Sequence, residues 1–196
     1  MKIRATLLMV ATALLSAALV PQGGTPRDAV VLGRTNDDAL FESFNSSYKF
    51  PVSGVIDSAE VVTEFRRSVL LVRARALQGE YSFGEIELAR AIAPFAGLVT
   101  CIVQVRLHPL NVFGKEPAYD LYLSTGPRSG PVASKTMKRD PVYPPGAEPG
   151  STMVAVRLEA SFPRAEIERA EAPRLIVTDE KAEIMWQARL DLSRYR

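Results

Sequence analysis

Residues 59–77 read AEVVTEFRRSVLLVRARAL, and the assignment of this stretch to strand or helix decides the fold class of the whole chain. Read with a period of two, Val55, Ala59, Val61 and Phe65 share one side, and further along Leu70, Val72, Ala74 and Ala76 oppose Arg73 and Arg75. That is the alternation of strands with one buried face, and its valines and threonine favour extended backbone. Read with a helical period, Asp57 or Ser58 caps a helix from 59 to 77 that stops at Gly79. Glu60 and Glu64 then fall in the early turns and Arg73 and Arg75 in the last, which suits the helix dipole. The β-branched residues and the Arg73/Arg75 alternation favour strands, and the expectation follows them.

Outward from this stretch, the same alternation recurs along the rest of the chain. Val99, Cys101, Val103, Val105 and Leu107 oppose Thr100, Gln104, Arg106 and His108, and Tyr119, Leu121 and Leu123 alternate with Asp120 and Tyr122. Val154, Val156, Leu158, Ala160 and Phe162 oppose Arg157, Glu159 and Ser161, and Ile184, Trp186, Ala188, Leu190 and Leu192 oppose Gln187, Arg189 and Asp191. A short β-branched run at 175–178 is joined to 184–192 by a five-residue stretch of hairpin length. Residues 164–169 have helical propensity and suit a crossing between sheets, and 83–93, rich in alanine before Pro94, suit a short helix. The expected fold is therefore mainly β: a single antiparallel immunoglobulin-like β-sandwich of about seven strands with one or two short helices, occupying 51–196. The alternative is an α+β fold with a helix at 59–77.

At 196 residues the chain holds one domain with appendages, and 47% hydrophobic against 23% charged residues is an ordinary globular balance. Lys2 and Arg4 account for the whole excess of 24 cations over 22 acids. The rest is neutral and lacks the surplus of cations that binds phosphate backbones, so no nucleic acid is expected as a partner. Those two cations precede an apolar run at 5–20, the order of a secretory signal, and 16 residues is short of a membrane span. Residues 1–20 are thus expected to be a signal peptide, with the protein periplasmic or extracellular. Left uncleaved, residues 5–20 become a membrane anchor, the only membrane contact expected. Residues 21–50 contain Gly23-Gly24 and Asn36-Asp37-Asp38 with little apolar periodicity, and read as a tether or loosely docked arm.

Chemistry is sparsely signalled. His108 is the only histidine, so a metal site of two histidines is excluded, and no nucleophile elbow accompanies it. Cys101, the sole thiol, is in phase with core positions, and so is Trp186. Glu85 with Glu87 and Glu166 with Glu168 pair carboxylates by sequence, but nothing marks a cleft between them. Neither cofactor nor metal is expected. The informative feature is 126–150, read as a long loop, with six prolines and the cations Arg128, Lys135, Lys138 and Arg139. Met137 and Tyr143 are its candidate anchors. The function expected is a non-enzymatic binding or structural module of the bacterial cell envelope. It would hold another envelope protein or a surface polymer through Arg128, Lys135, Met137, Lys138, Arg139 and Tyr143 and adjoining strand edges. The alternative is a small exported hydrolase using His108.

Overall fold

The computed structural model describes residues 24–110, 116–126, 130–148 and 150–195. Two helices come first, α1 (Pro26–Gly33) and α2 (Asp38–Ser46). They are followed by β1 (Ile56–Val62), α3 (Glu64–Leu77), α4 (Glu85–Ile92) and a 3-10 turn at Ala93–Phe95. Then come β2 (Leu98–Arg106), β3 (Asp120–Ser124), β4 (Pro131–Val132), β5 (Thr136–Val142), β6 (Ala155–Pro163) and α5 (Arg164–Arg169). The hairpin β7 (Arg174–Thr178) and β8 (Ile184–Arg189) follows, and then a 3-10 turn at Leu192–Tyr195.

The strands form two separate four-stranded antiparallel sheets, ordered β1-β2-β6-β5 and β4-β3-β7-β8. With eight strands and five α-helices among the described residues the fold is α+β, and the expected single seven-strand immunoglobulin-like sandwich is overturned. Three segments account for the difference.

Residues 59–77 are strand and helix in succession. β1 ends at Val62, and Thr63 stops it by capping α3: its side-chain oxygen accepts the Arg66 N–H at 3.3 Å. From there Arg66, Val69 and Val72 are buried at helical spacing, so burial follows a period of 3.6, which the Arg73/Arg75 alternation disguises. The helix closes with the Gly79 N–H on the Ala76 carbonyl and the Glu80 N–H on that of Arg75. Gly79 takes the positive φ of 80° that this ending requires.

Second, the described part of 21–50, read from sequence as a tether or loose arm, forms α1 and α2 and contributes to the core. Ala29, Phe44 and Tyr48 are wholly buried. Gly33 lets α1 approach α3 closely, because a Cβ there would stand 2.7 Å from Val72 Cβ and 2.8 Å from the Val69 carbonyl oxygen. Phe44 meets Tyr48 and Phe65 edge-on at 5.1 and 6.0 Å, and Tyr48 stacks on Tyr195 at 5.1 Å. Third, the long loop expected at 126–150 contains two strands, of which β5 is a full edge strand of the first sheet.

The centre of the first sheet matches the sequence pattern. Val99, Cys101, Val103 and Val105 on β2 face Phe162, Ala160, Leu158 and Val156 on β6, all at most 1% exposed. One continuous apolar core joins these residues to Leu121 and Leu123 on β3, Val177 and Trp186 on β7 and β8, and the buried faces of α1, α3 and α4. α5 carries the chain from β6 in one sheet to β7 in the other, as its composition suggested.

Candidate functional site

β5 pairs with β6 on one side and ends the sheet order on the other, so its outer edge is uncovered among the described residues. Its register places Met137, Arg139 and Pro141 opposite Ala160, Leu158 and Val156, on the buried face. Thr136, Lys138, Asp140 and Val142 lie on the other face, opposite Ser161, Glu159, Arg157 and Ala155. The backbone alternates in the same way. The Val142 carbonyl accepts the Val154 N–H at 2.8 Å, so the even-numbered residues of β5 turn their backbone groups toward β6. Met137, Arg139 and Pro141 therefore turn theirs outward, and Pro141 has no N–H to offer. The uncovered edge presents two donors, from Met137 and Arg139, and three carbonyls.

Of the six residues singled out from the sequence, the structure brings five together here. Met137, Lys138 and Arg139 are on β5, with Lys135 just before it and Tyr143 just after; Arg128 lies outside the described residues. Their roles diverge. Met137 is half-buried against the core, and Arg139 turns to the second sheet, donating from Nε to the Tyr119 carbonyl at 2.7 Å and pairing with Asp120 at 3.3 Å. Lys138 and Lys135 extend into solvent, and Tyr143 is 48% exposed. Asp140 and the backbone edge itself were missed. The prolines concealed them, although Pro141 is compatible with a strand that has a free edge.

The other candidates have structural employment. His108 is exposed, and its Nδ1 accepts the Leu110 N–H at 3.1 Å within its own turn. Cys101 is fully buried, which pushes its thiol up to about 12, so the thiolate that nucleophilic chemistry needs is suppressed. Trp186 packs edge-on to Phe50 at 6.1 Å. At the start of α4 the Glu87 carboxylate accepts from its own backbone N–H and from that of Gly84, and these bonds hold its carboxyl below the usual range. Glu166 and Glu168 pair with Arg169 and Arg164 on α5. No group of three or more metal-ligating side chains is gathered among the described residues. No helix there is long and apolar enough to cross a membrane.

A cleft of about 320 Å³ lies between Thr25, Thr63, Phe65, Arg164 and Tyr195. Its two threonine side chains already cap α1 and α3, which leaves little to direct a ligand. The most elaborate polar cluster surrounds Arg66, which is 1% exposed. Its guanidinium donates to Asn45 Oδ1, the Val61 carbonyl and Glu60 Oε2, and lies 5.2 Å from the centre of the Tyr48 ring. Sequence reading did not find it. With four of its five N–H donors engaged and the group 1% exposed, the guanidinium ties α2, β1 and α3 together and serves the fold.

Compared with known proteins, the chain matches no family model, no curated protein and no solved structure.

Proposed function

We propose that the protein is a non-enzymatic binding module of the bacterial cell envelope that takes an extended segment of protein along the outer edge of β5. The observation that carries this reading is the uncovered edge itself, with the N–H groups of Met137 and Arg139 and Lys138 beside them. Strand addition uses backbone hydrogen bonds for affinity and alternate side chains for specificity. Export, to the periplasm or beyond, rests on the order of Lys2, Arg4 and the apolar run at 5–20. The occupied responsibilities of His108, Cys101 and the paired carboxylates support a binding role over a hydrolytic one.

The test compares proteins retained from envelope extract by wild type and by Met137→Pro. Proline is compatible with an outward-facing position on this strand, as Pro141 illustrates, and it deletes one of the two free donors. A retained protein lost with Met137→Pro supports the reading. An unchanged set of retained proteins removes β5 from consideration.

A further inference from the structure

We infer that the segment added to β5 is β5 of a second copy of this chain, antiparallel and registered about a two-fold axis at Arg139. The inference rests on the edge-binding reading above and names its partner. Only the odd-numbered residues 137, 139 and 141 turn backbone groups outward, so any self-pairing must set odd residues against odd ones. Three registers near the middle of the strand satisfy this. Centred on residue 138, Lys138 opposes itself; centred on 140, Asp140 opposes itself; like charges directly opposite are unfavourable. Centred on Arg139, Lys138 of each copy opposes Asp140 of the other, twice over; Arg139 then opposes itself, but each guanidinium is already paired with Asp120 of its own chain, so the two opposite-charge pairs decide the register.

This register also fits what flanks it. Within each chain Lys138 already faces Glu159, and Asp140 faces Arg157, across the β5–β6 pair. The charges then run Glu159, Lys138, Asp140 of the second copy, Arg157 of the second copy, alternating in sign across the junction in both directions. Thr136 opposes Val142, and Met137 opposes Pro141. The two Arg139 N–H groups donate to each other's carbonyl, and each Met137 N–H donates to the Pro141 carbonyl of the other copy, four backbone bonds in all. The missing proline N–H leaves only the Met137 carbonyls to water. The two Arg139 side chains meet on the inner face, where each is already drawn toward Tyr119 and Asp120 of its own chain. The result is a continuous eight-stranded sheet.

Light scattering of the purified full-length chain over a concentration series tests this. Wild type is expected to show twice the monomer mass, and Lys138→Asp and Asp140→Lys each to raise the dimer dissociation constant at least about tenfold. Mixed one to one, the two variants are expected to regain the dimer, because each then opposes the other's charges. Disulfide trapping reads the register without altering charge. Thr136→Cys mixed with Val142→Cys cross-links under mild oxidation, whereas Thr136→Cys alone does not, its two copies standing about 20 Å apart. The buried Cys101 is silent in both. A monomer at every concentration, a dimer undisturbed in both single charge variants, or cross-linking of Thr136→Cys to itself overturns the inference. A monomer that nevertheless retains a foreign protein in a Met137-dependent way overturns it while leaving the binding module standing; failure of both assays removes both.

Discussion

Replacing Arg66 with Met preserves the aliphatic stem inside the core and deletes only the guanidinium. In the wild type that group donates to Asn45 Oδ1 at 2.6 and 3.2 Å, to the Val61 carbonyl at 2.7 Å and to Glu60 Oε2 at 2.5 Å. The variant leaves the Val61 carbonyl and Asn45 without their donor and Glu60 without its counter-charge. Breaking one side of a buried ion pair costs about 3–5 kcal/mol, most of it from the groups stranded behind. Glu60 keeps 25% of its side chain in solvent and recovers hydration, which places the expected loss at the lower end, about 3 kcal/mol. For a domain of this length that is a fall in Tm of roughly 6–12 °C. Urea denaturation of wild type and Arg66→Met measures it as a lower midpoint at unchanged slope. The double variant Arg66→Met, Glu60→Met is expected to lose less than the two single variants together, since neither charge is then stranded. A loss under about 0.5 kcal/mol for Arg66→Met refutes the reasoning, because the cluster would then have no net hold on α2, β1 and α3.

Burial raises the Tyr48 hydroxyl from its ordinary value near 10 to about 12, against the opposing influence of Thr63 and Arg66. The folded state therefore keeps this proton after the unfolded state has begun to release it, so stability falls by roughly 2–3 kcal/mol as pH rises from 10 to 12. Tyr48→Phe is expected to flatten that limb in denaturation curves recorded across the range. Gly33→Ala drives a methyl into the Val69 carbonyl and Val72, and should cost about 1–3 kcal/mol in the same urea assay by parting α1 from α3. The Cys101 thiol is expected to resist alkylation at pH 8 in the native protein and to react at once in denaturant, followed by intact mass.

Much of the core was legible because its chemistry is local. Along β2 and β6 the inward residues from Val99 to Val105 and from Val156 to Phe162 are apolar and buried as the alternation requires, although Thr100, Ile102 and Ser161 on the opposite face are buried as well. The β7–β8 hairpin, the turns of α5 and the short helix α4 were equally readable, since strand propensity, loop length and alanine content all act within a few residues. Where local signals conflict, the contest is settled elsewhere in the chain. Thr63 is as good a strand residue as a helix cap, and Arg66 reads as a surface cation. α3 begins there because Asn45 and Tyr48, about twenty residues upstream on and just after α2, converge with Glu60 on the guanidinium.

The N-terminal arm shows the same limit. Phe41 and Phe44 alone promise one short contact, and it takes Phe65 and Tyr48 together with the Tyr195 ring to bury Phe44 completely and hold α2 in place. At the candidate site the residue types were visible: two lysines, an arginine, a methionine and a tyrosine among prolines. Their meaning was not, because whether Arg139 reaches a ligand or the Tyr119 carbonyl depends on where the second sheet lies. Composition and alternation thus determined which residues are apolar enough to be buried and at what period. Which faces meet, which cations are consumed inside the molecule and which edge stays open are decided by long-range packing and hydrogen-bond partners that no single stretch of chain contains.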